Sequence, residues 1–400
     1  MSQDPSAMPL PLKILLHYPV LNSGGAERST LRLLSALADR GCDVHLVLSV
    51  GGGQLESEID SRVTVYHLRD TVGNFPAEIH SIRDAWRFAI GAIQWGWGRV
   101  QQAWRSRRFA AVSFDVAIAG LHGLSPGFIC ERVQARRRFV MVRNDAADDR
   151  LGKLARNIVR YQDRIDAYIC VSQSVLDSLV ALYPEVARKA VRVYNLIDPE
   201  SMRKGAAVGA DPFAQEPPGL RVLTVCRLQE SQKALLRMVE VHQRLLDAGL
   251  PHVWHVLGDG PDRAMLESAI EKRGVSESFR LHGSIGNPFP YYKHADICAV
   301  FSRYEGLCGV VNEARVLERP VIATRFAGIE EQIDSGVNGL IVEQDVDAIC
   351  AGLASLIRDA GLRERLARGG YPRELLDDQA KVDALMQLMG DDSRSSTSST

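Results

Sequence analysis

The chain has 400 residues, which is more than one ordinary hydrophobic core accommodates and suits two domains of common size. Hydrophobic residues make up 46% of the sequence and charged residues 24%, proportions typical of a folded globular protein. The formal net charge of -1 excludes a bulk electrostatic attraction to nucleic acid, so no nucleic-acid partner is expected.

The cysteines and the N-terminus bear on the cellular compartment. The seven cysteines lie mostly in apolar, strand-like runs, and no two of them form a C-x-x-C pair. This predicts buried, reduced thiols and argues against a zinc site. The N-terminus lacks the pattern of a signal peptide, and no run reaches the roughly 18 apolar residues that a spanning helix needs. We therefore expect a cytoplasmic chain that spans no membrane.

The first half alternates short β-branched runs with helical patterns. A first strand is predicted at KILLHY, followed by a helix at GGAERSTLRLLSALADRG with Leu31, Leu34 and Leu37 on its inner side. Further strands are predicted at DVHLVLS, RVTVYHL, FDVAIAG, RFVMVR, AYICVS and VRVYNL. The alternation predicts a first domain over residues 12–198, with a parallel sheet covered by helices on both faces.

Residues 81–109 differ in composition from the rest of this domain. They contain Trp86, Trp95, Trp97 and Trp104 together with six arginines and one acidic residue. Aromatic and basic residues at helical spacing suit a surface of anionic lipid, here the inner face of the cell membrane. The alternative is a helix that packs its tryptophans into the first domain and keeps its arginines outside.

The second half repeats the alternation after a break. Residues 199–219 are rich in Pro, Gly and Ala and lack periodicity, which predicts an irregular interdomain linker. A second α/β domain is predicted over 220–372, a C-terminal helix over 373–390 and a disordered tail over 391–400. Ligand-binding loops of two such domains face each other at the carboxyl ends of their strands.

Two loops, one in each domain, are candidates for binding an anion. In NSGGAERS, Gly24 and Gly25 let backbone amides approach a ligand at a helix start, although a tight strand-to-helix turn explains them equally well. In VCRLQESQK, Arg227 and Lys233 follow the first strand of the second domain and suit a diphosphate. Ordinary surface cations are the alternative there.

The stretch SRYEGLCGVVNEA places Glu305 in a turn and Glu313 in the helix that follows. A carboxylate only accepts hydrogen bonds and has two oxygens, which suits the paired hydroxyls of a sugar. Taken singly, each glutamate is better explained as a solvated helix-end charge. The amides expected to point at an anion near this helix start are those of Gly306, Leu307, Cys308 and Gly309.

Glu305 and Glu313 match the E-x7-E motif of retaining glycosyltransferases of family 4, which have the GT-B fold. The segments NSGGAERS, HVLGDGPDRAMLE, GSIGNPFPYYKHADICAVF and ERPVIATRFAGIEEQIDSGVNGLIV resemble that family in order, over roughly residues 12–372. RRFVMVRND resembles a branch that builds lipopolysaccharide cores, capsules and exopolysaccharides. The resemblance implies an α/β protein of two Rossmann-like, doubly wound domains facing across a cleft, with the C-terminal helix returning to the N-terminal domain.

The resemblance also implies roles for the site residues. Arg227 and Lys233 would bind the donor diphosphate, Glu313 the nucleotide ribose and Glu305 the transferred sugar. The leaving phosphate would help to take the acceptor proton, so we expect no side-chain nucleophile, no metal ion and no cofactor. The implied donor is a nucleotide diphosphate sugar, with a UDP-sugar favoured and GDP-mannose left open, and the acceptor is a saccharide or a lipid-linked saccharide.

The sequence departs from the family pattern at several positions. Cys226 precedes the basic loop where many members carry Gly or Arg, and Leu307 and Cys308 replace Phe-Pro or Phe-Gly. Arg143 stands where many members have a histidine near the reacting centre. Arg143, Asp145 or His122 are the candidates for its role, although a histidine after a strand is more often structural.

Two further alternatives concern chemistry. The triplet Asp345–Asp347 resembles the metal-binding Asp-x-Asp of the other large glycosyltransferase fold, but its position at a helix start predicts an ordinary cap. A sugar-nucleotide epimerase on the same fold would need acid and base residues that the sequence does not offer. A catalytically silent sugar-nucleotide-binding scaffold would bind the donor without turnover.

Overall fold

The computed structural model describes residues 11–22, 24–70, 82–121, 124–149, 152–217 and 219–390. Two parallel sheets organise these residues. The first has the strand order β3-β2-β1-β4-β5-β6-β7, with β1 Lys13–Tyr18, β2 Asp43–Leu48, β3 Thr64–His67, β4 Ser113–Ala119, β5 Gln134–Val142, β6 Ala167–Cys170 and β7 Ala190–Arg192. The second has the order β10-β9-β8-β11-β12-β13, with β8 Arg221–Val225, β9 Val253–Leu257, β10 Phe279–Gly283, β11 Ile297–Val300, β12 Val321–Thr324 and β13 Leu340–Val342.

Helices connect the strands and cover both sheets. Those of the first half are α1 Gly25–Asp39, α2 Ile82–Ser106, α3 Gly127–Glu131, α4 Lys153–Tyr161, α5 Gln173–Leu182 and α6 Pro199–Ala207. Those of the second half are α7 Glu230–Lys233, α8 Leu235–Asp247, α9 Arg263–Lys272, α10 Phe289–His294, α11 Gly309–Val316, α12 Ile329–Gln332, α13 Val346–Arg358, α14 Ala360–Arg368, α15 Arg373–Leu376 and α16 Asp378–Gly390.

Strand β1 shows why the first sheet is covered on both faces. Its side chains alternate, so Leu15 packs in one core with Phe128, whereas Ile14 and Leu16 pack in the other core with Leu34 of α1. The chain reverses its direction of winding between β1 and β4, and again between β8 and β11. Loops diverge at such switch points and leave a crevice at the carboxyl ends of the strands. The predicted doubly wound fold is confirmed.

The segment between the sheets is more ordered than its composition predicts. The expectation of an irregular linker over 199–219 is wrong for its first part, because Pro199–Ala207 form α6. Asp198 caps this helix by accepting from the Ser201 amide at 3.1 Å, and Pro199 occupies the first helical position. The two sheets lie within the predicted ranges 12–198 and 220–372, whose ends stay predictions.

The C-terminal segment returns to the first domain. The single helix predicted over 373–390 is interrupted at Asp377, which separates α15 from α16. Val382 and Leu385 of α16 pack in the same core as Ile118 of β4, so the predicted return is confirmed. The tail over 391–400 lies outside the described residues.

A carboxylate also joins the two domains directly. Glu331 of α12 accepts hydrogen bonds from the backbone amides of Gln173 at 2.7 Å and Ser174 at 2.9 Å, at the start of α5 in the first domain. The Tyr194 hydroxyl donates to the same carboxylate at 2.8 Å. A negative charge at a helix N-terminus is favourable, so this contact holds the two domains together beside the cleft.

Candidate active site

The centre of the candidate site is an ion pair in the second domain. The loop after β8 ends in α7, which carries Lys233, and the loop after β11 carries Glu305. The Lys233 ammonium contacts the Glu305 carboxylate, and the two side chains are only 14% and 12% exposed. Gln232 donates to the second oxygen of Glu305 at 3.4 Å. The structure thus brings together the predicted phosphate-binding cation and the predicted sugar-binding acid.

The surroundings of Lys233 keep it charged. Burial has the largest single influence on the pKa of Lys233 and lowers it, but the charge of Glu305, the thiols of Cys308 and Cys226 and the hydrogen bond to Glu305 together raise the pKa above its usual value. Burial raises the pKa of the neighbouring thiols, Cys226 to about 11 and Cys308 to about 12. The site therefore holds a fixed ammonium group among neutral thiols.

Glu313 lies on α11 and faces the first domain. The Tyr292 hydroxyl donates to its Oε2 at 2.7 Å. Burial raises the pKa of Glu313, while the hydrogen bond from Tyr292 and the charge of Arg32 on α1 oppose this shift. The charge of Glu305 contributes to the raised pKa of Cys308, and Cys308 contributes to the raised pKa of Tyr292, so this thiol lies near both groups.

The turn between the two glutamates packs directly against the first domain. A Cβ atom at Gly306 would lie 2.1 Å from the carbonyl oxygen of Arg143, so this approach requires glycine. Leu307 and Cys308 are buried, and Gly309 is the first residue of α11. The Cys308 amide donates to Gln332 Oε1 at 3.0 Å. The expectation that this amide points at an anion is therefore wrong.

The glycine loop of the first domain approaches the same cleft. Gly24 is the N-cap of α1 and Gly25 its first residue. A Cβ atom at Gly24 would lie 2.4 Å from Glu27 Oε2, whereas one at Gly25 would meet nothing within 4 Å. Burial raises the pKa of Glu27, and the charges of Arg143 and Arg227 lower it. Glu27 is thus close enough to the exposed Arg227 of the second domain for the two charges to interact.

Arg143 forms part of the base of the cleft. It is buried, and its guanidinium donates to Gly120 O at 2.9 Å, Asn195 Oδ1 at 3.1 Å and Thr30 Oγ1 at 3.0 Å. Burial lowers the pKa of Arg143, while Tyr18 and Glu27 raise it. These contacts fix the guanidinium within the first domain, close to the turn of the second domain that contains Gly306. The role of Arg143 at the reacting centre stays a prediction.

The other predicted residues are two aspartates that cap helices and one histidine that the structure does not describe. Asp145 accepts from the Ala147 amide at 2.9 Å and from the Ser178 hydroxyl, which gives it a structural function in the first domain. Asp345 caps α13 by accepting from the Ala348 amide at 2.8 Å, so the predicted cap is confirmed. His122 lies outside the described residues.

Three residues at the site were not singled out from the sequence. Glu27 lies in the first turn of α1, next to the glycine loop. Acidic residues are common in first helical turns, so the sequence alone did not indicate a position in the cleft. Tyr292 and Gln332 lie 21 and 24 residues from the side chain or amide that they contact. No local pattern signals such tertiary hydrogen bonds.

Two family descriptions match the sequence, Glycosyltransferase Family 4 over residues 23–201 and Glycosyl transferases group 1 over residues 219–359. Between them they include the whole second sheet, every strand of the first sheet except β1, and the E-x7-E motif. The chain belongs to the family 4 glycosyltransferases. Both matches agree with the resemblance in the sequence, which is confirmed.

Two of the relatives are glycosyltransferases of lipopolysaccharide core biosynthesis and of amylovoran biosynthesis. The chain is 31% identical to the lipopolysaccharide core biosynthesis glycosyltransferase LpsE of Rhizobium meliloti (strain 1021) over 146 residues, which is 36% of this chain and 43% of LpsE. It is 24% identical to the amylovoran biosynthesis glycosyltransferase AmsD of Erwinia amylovora over 362 residues, 90% of this chain and 93% of AmsD. The chain thus matches less than half of LpsE but nearly all of AmsD.

Solved structures of the GT-B fold superpose on nearly the whole of the chain. TarM of S. aureus, in complex with fondaparinux, alpha-GlcNAc-glycerol and UDP, has a TM-score of 0.73 at 11% identity and covers 95% of this chain and 100% of its own. HepE of Anabaena, in complex with UDP, has a TM-score of 0.67 at 14% identity and covers 94% and 100%. At these identities the comparison shows the fold, and the predicted GT-B architecture of this family 4 member is confirmed.

Proposed function

We propose that the protein is a retaining glycosyltransferase that moves a hexose or N-acetylhexosamine from a nucleotide diphosphate sugar to a saccharide or lipid-linked saccharide. The acceptor belongs to the synthesis of lipopolysaccharide or another cell-surface polysaccharide, as the names of LpsE and AmsD suggest. The observation that carries the proposal is the buried contact between Lys233 and Glu305 at the switch point of the second sheet. A cation and a carboxylate side by side suit a ligand that joins phosphate to sugar.

Each group has a defined part in donor binding. The ammonium of Lys233 and the exposed guanidinium of Arg227 bind the diphosphate from the carboxyl end of β8. Glu305 accepts hydrogen bonds from hydroxyls of the transferred sugar, with Lys233 holding its carboxylate in place. Glu313 binds the ribose hydroxyls, while Tyr292 fixes one of its oxygens.

The reaction follows from this placement of charge. The acceptor hydroxyl attacks the anomeric carbon on the face from which the nucleotide leaves, and the bond from that carbon to the phosphate oxygen breaks. The acceptor proton passes to the leaving phosphate. Arg227 and Lys233 stabilise the negative charge that develops there, so no metal ion takes part in the proposed mechanism.

The donor is proposed to be a UDP-sugar, and the reaction to take place in the cytoplasm at the inner face of the membrane. TarM and HepE were crystallised with UDP, which supports uridine over guanosine. A thermal-shift screen against UDP-, GDP-, ADP- and dTDP-sugars tests this choice, because a ligand that binds only the folded state raises the melting temperature. The UDP-sugars are expected to give the largest shift.

The transferase activity is tested with Glu305→Gln. The substitution keeps the size of the side chain and removes its charge, so transfer should fall by about a hundredfold or more while UDP binding persists. Glu364→Gln, at an exposed glutamate, is the matched control and should transfer at the wild-type rate.

Four results would contradict the proposal. Turnover of Glu305→Gln at the wild-type rate would remove this residue from its role. Saturable donor binding by the wild type without turnover would identify a silent scaffold, and conversion of the donor sugar without an acceptor would identify an epimerase. Loss of transfer in EDTA, restored by a divalent cation, would overturn the metal-independent mechanism.

A further inference from the structure

Helix α2 presents an apolar stripe to solvent. Trp86, Trp97 and Trp104 are 68%, 63% and 67% exposed, so the alternative in which these tryptophans pack into the first domain is wrong. Together with three aliphatic residues they recur at alternating spacings of four and three, which places them along one line of the helix. The stripe consists of Trp86, Ile90, Ile93, Trp97, Val100 and Trp104.

Helix α2 contacts the first domain through the side that lies away from this stripe. Gly91, Gly98 and Ser106 are buried there. Near the C-terminal end, Gln101 donates to Asp70 at 2.9 Å and Arg105 pairs with the same carboxylate at 2.7 Å. From Trp86 to Trp104 the stripe extends about 27 Å along the helix and faces outward.

A basic surface lies beside α2 on the same face of the first sheet. The ring of Phe109, which follows α2, lies 5.5 Å from that of Phe128 in α3. At the other end of α3, Glu131 accepts from Arg160 of α4 at 3.0 Å and from the Tyr161 hydroxyl at 2.8 Å. The exposed residues that α4 presents are Lys153, Arg156, Val159 and Arg160.

Charge and composition indicate what covers this surface. Arg83 is exposed at the start of α2, and Arg107 and Arg108 are exposed just after its end, so cations lie at both ends of the stripe. Tryptophan with flanking arginine is typical of helices that lie in the interface of an anionic bilayer. Spacings of four and three also suit a second helix, but a two-fold contact between copies would bring this basic surface against its own equivalent.

We propose that α2 and α4 form a docking surface for an anionic lipid bilayer, with the apolar stripe of α2 inserted at headgroup depth and α4 contacting lipid phosphates. Within the described ranges, no helix is long and apolar enough to cross a bilayer. The proposal deepens the proposed function by naming where a lipid-linked acceptor would be met. Docking is measured without any glycosyl transfer, so the two can fail independently.

Vesicle flotation of the full chain tests the docking surface. Wild type is expected to float with vesicles of phosphatidylcholine and phosphatidylglycerol and to remain in the dense fraction with phosphatidylcholine alone. Trp97→Glu with Trp104→Glu should abolish flotation. Lys153→Gln with Arg156→Gln should lower the partition coefficient at least about tenfold and reduce its dependence on salt.

Matched controls lie in the second domain. Val337→Glu replaces an apolar side chain that is 49% exposed, and Lys272→Gln with Arg273→Gln removes two exposed cations. Both should float like the wild type. The helix variants change exposed side chains only, and unaltered thermal unfolding confirms that they fold.

Three outcomes would overturn the proposal. The first is a wild-type chain that does not float with anionic vesicles. The second is a Trp97→Glu, Trp104→Glu variant that floats as well as the wild type. The third is a dimer, seen by light scattering at micromolar concentration, that the same two substitutions dissociate. That outcome would assign the stripe to a second copy of the chain.

Discussion

Several charged side chains in the cleft are buried in arrangements that the stability of the fold alone does not explain. Lys233 and Glu305 are removed from water together, and a buried ion pair is often no more stabilising than apolar residues of the same volume. Glu313 and Glu27 both have a raised pKa because burial penalises their charge. Such groups are typical of ligand-binding sites, where the bound molecule supplies the missing partners.

The raised pKa of Glu313 predicts a pH dependence of stability. The folded state holds the proton of Glu313 more tightly than the unfolded state, whose pKa is near the ordinary 4.5. The contribution of this group to stability is therefore highest at low pH and is lost as the pH rises through the folded pKa. Glu313→Gln cannot ionise but keeps an oxygen for Tyr292.

The free energy of unfolding should therefore rise for Glu313→Gln relative to the wild type as the pH increases from about 4 to about 8. Urea unfolding at a series of pH values measures the difference. Glu364→Gln, at an exposed position, should show no such trend. If the difference in unfolding free energy between Glu313→Gln and the wild type is constant with pH, or shrinks as the pH rises, then burial does not raise the pKa of Glu313.

At the scale of elements, Glu331 of α12 connects the second domain to the start of α5 in the first. Glu331→Ala removes two charge-assisted bonds to backbone amides and the bond from Tyr194. We expect the free energy of unfolding to fall by about 2 kcal/mol. The radius of gyration in small-angle scattering should increase as the domains separate.

The neighbouring Glu330 provides the comparison. The side chain of Glu330 is 72% exposed and pairs with Arg325 on the surface of the second domain. Glu330→Ala should therefore change neither the free energy of unfolding nor the radius of gyration measurably. Equal effects of the two substitutions would show that α12 contributes through its own helix rather than through the contact with α5.

Elements were predictable from sequence where the signal was local. Each short apolar run that was predicted to be a strand overlaps a strand of the structure. The position of Asp345 before a helix identified it correctly as a cap. Helix α6 was missed although Asp198 and Pro199 carry a local start signal, because the Pro- and Gly-rich composition of 199–219 outweighed it. The amide of Cys308 was expected to be available because its partner, Gln332, is far along the chain.

At the scale of the whole molecule, both switch points open toward one cleft. Gly24 and Glu27 follow β1 of the first sheet, and the loops after β8 and β11 bring Arg227 and Glu305 from the second. The close approach of Gly306 to the backbone of Arg143 joins the two sides. The motif spacing predicted Glu305 and Glu313 as site residues, but only the folded chain shows that Lys233 and Glu305 contact each other.

The central claim is that Arg227 and Lys233 bind the diphosphate of the donor in this cleft. Calorimetric titration of UDP and GDP into the wild type, Arg227→Met and Lys233→Met tests it most directly, with Lys272→Met as the control for an exposed lysine. We expect saturable binding by the wild type and the control, and affinities at least about tenfold weaker for both cleft variants, since each loses a charge-assisted bond to phosphate. Wild-type affinity in the folded Arg227→Met and Lys233→Met variants would contradict the account.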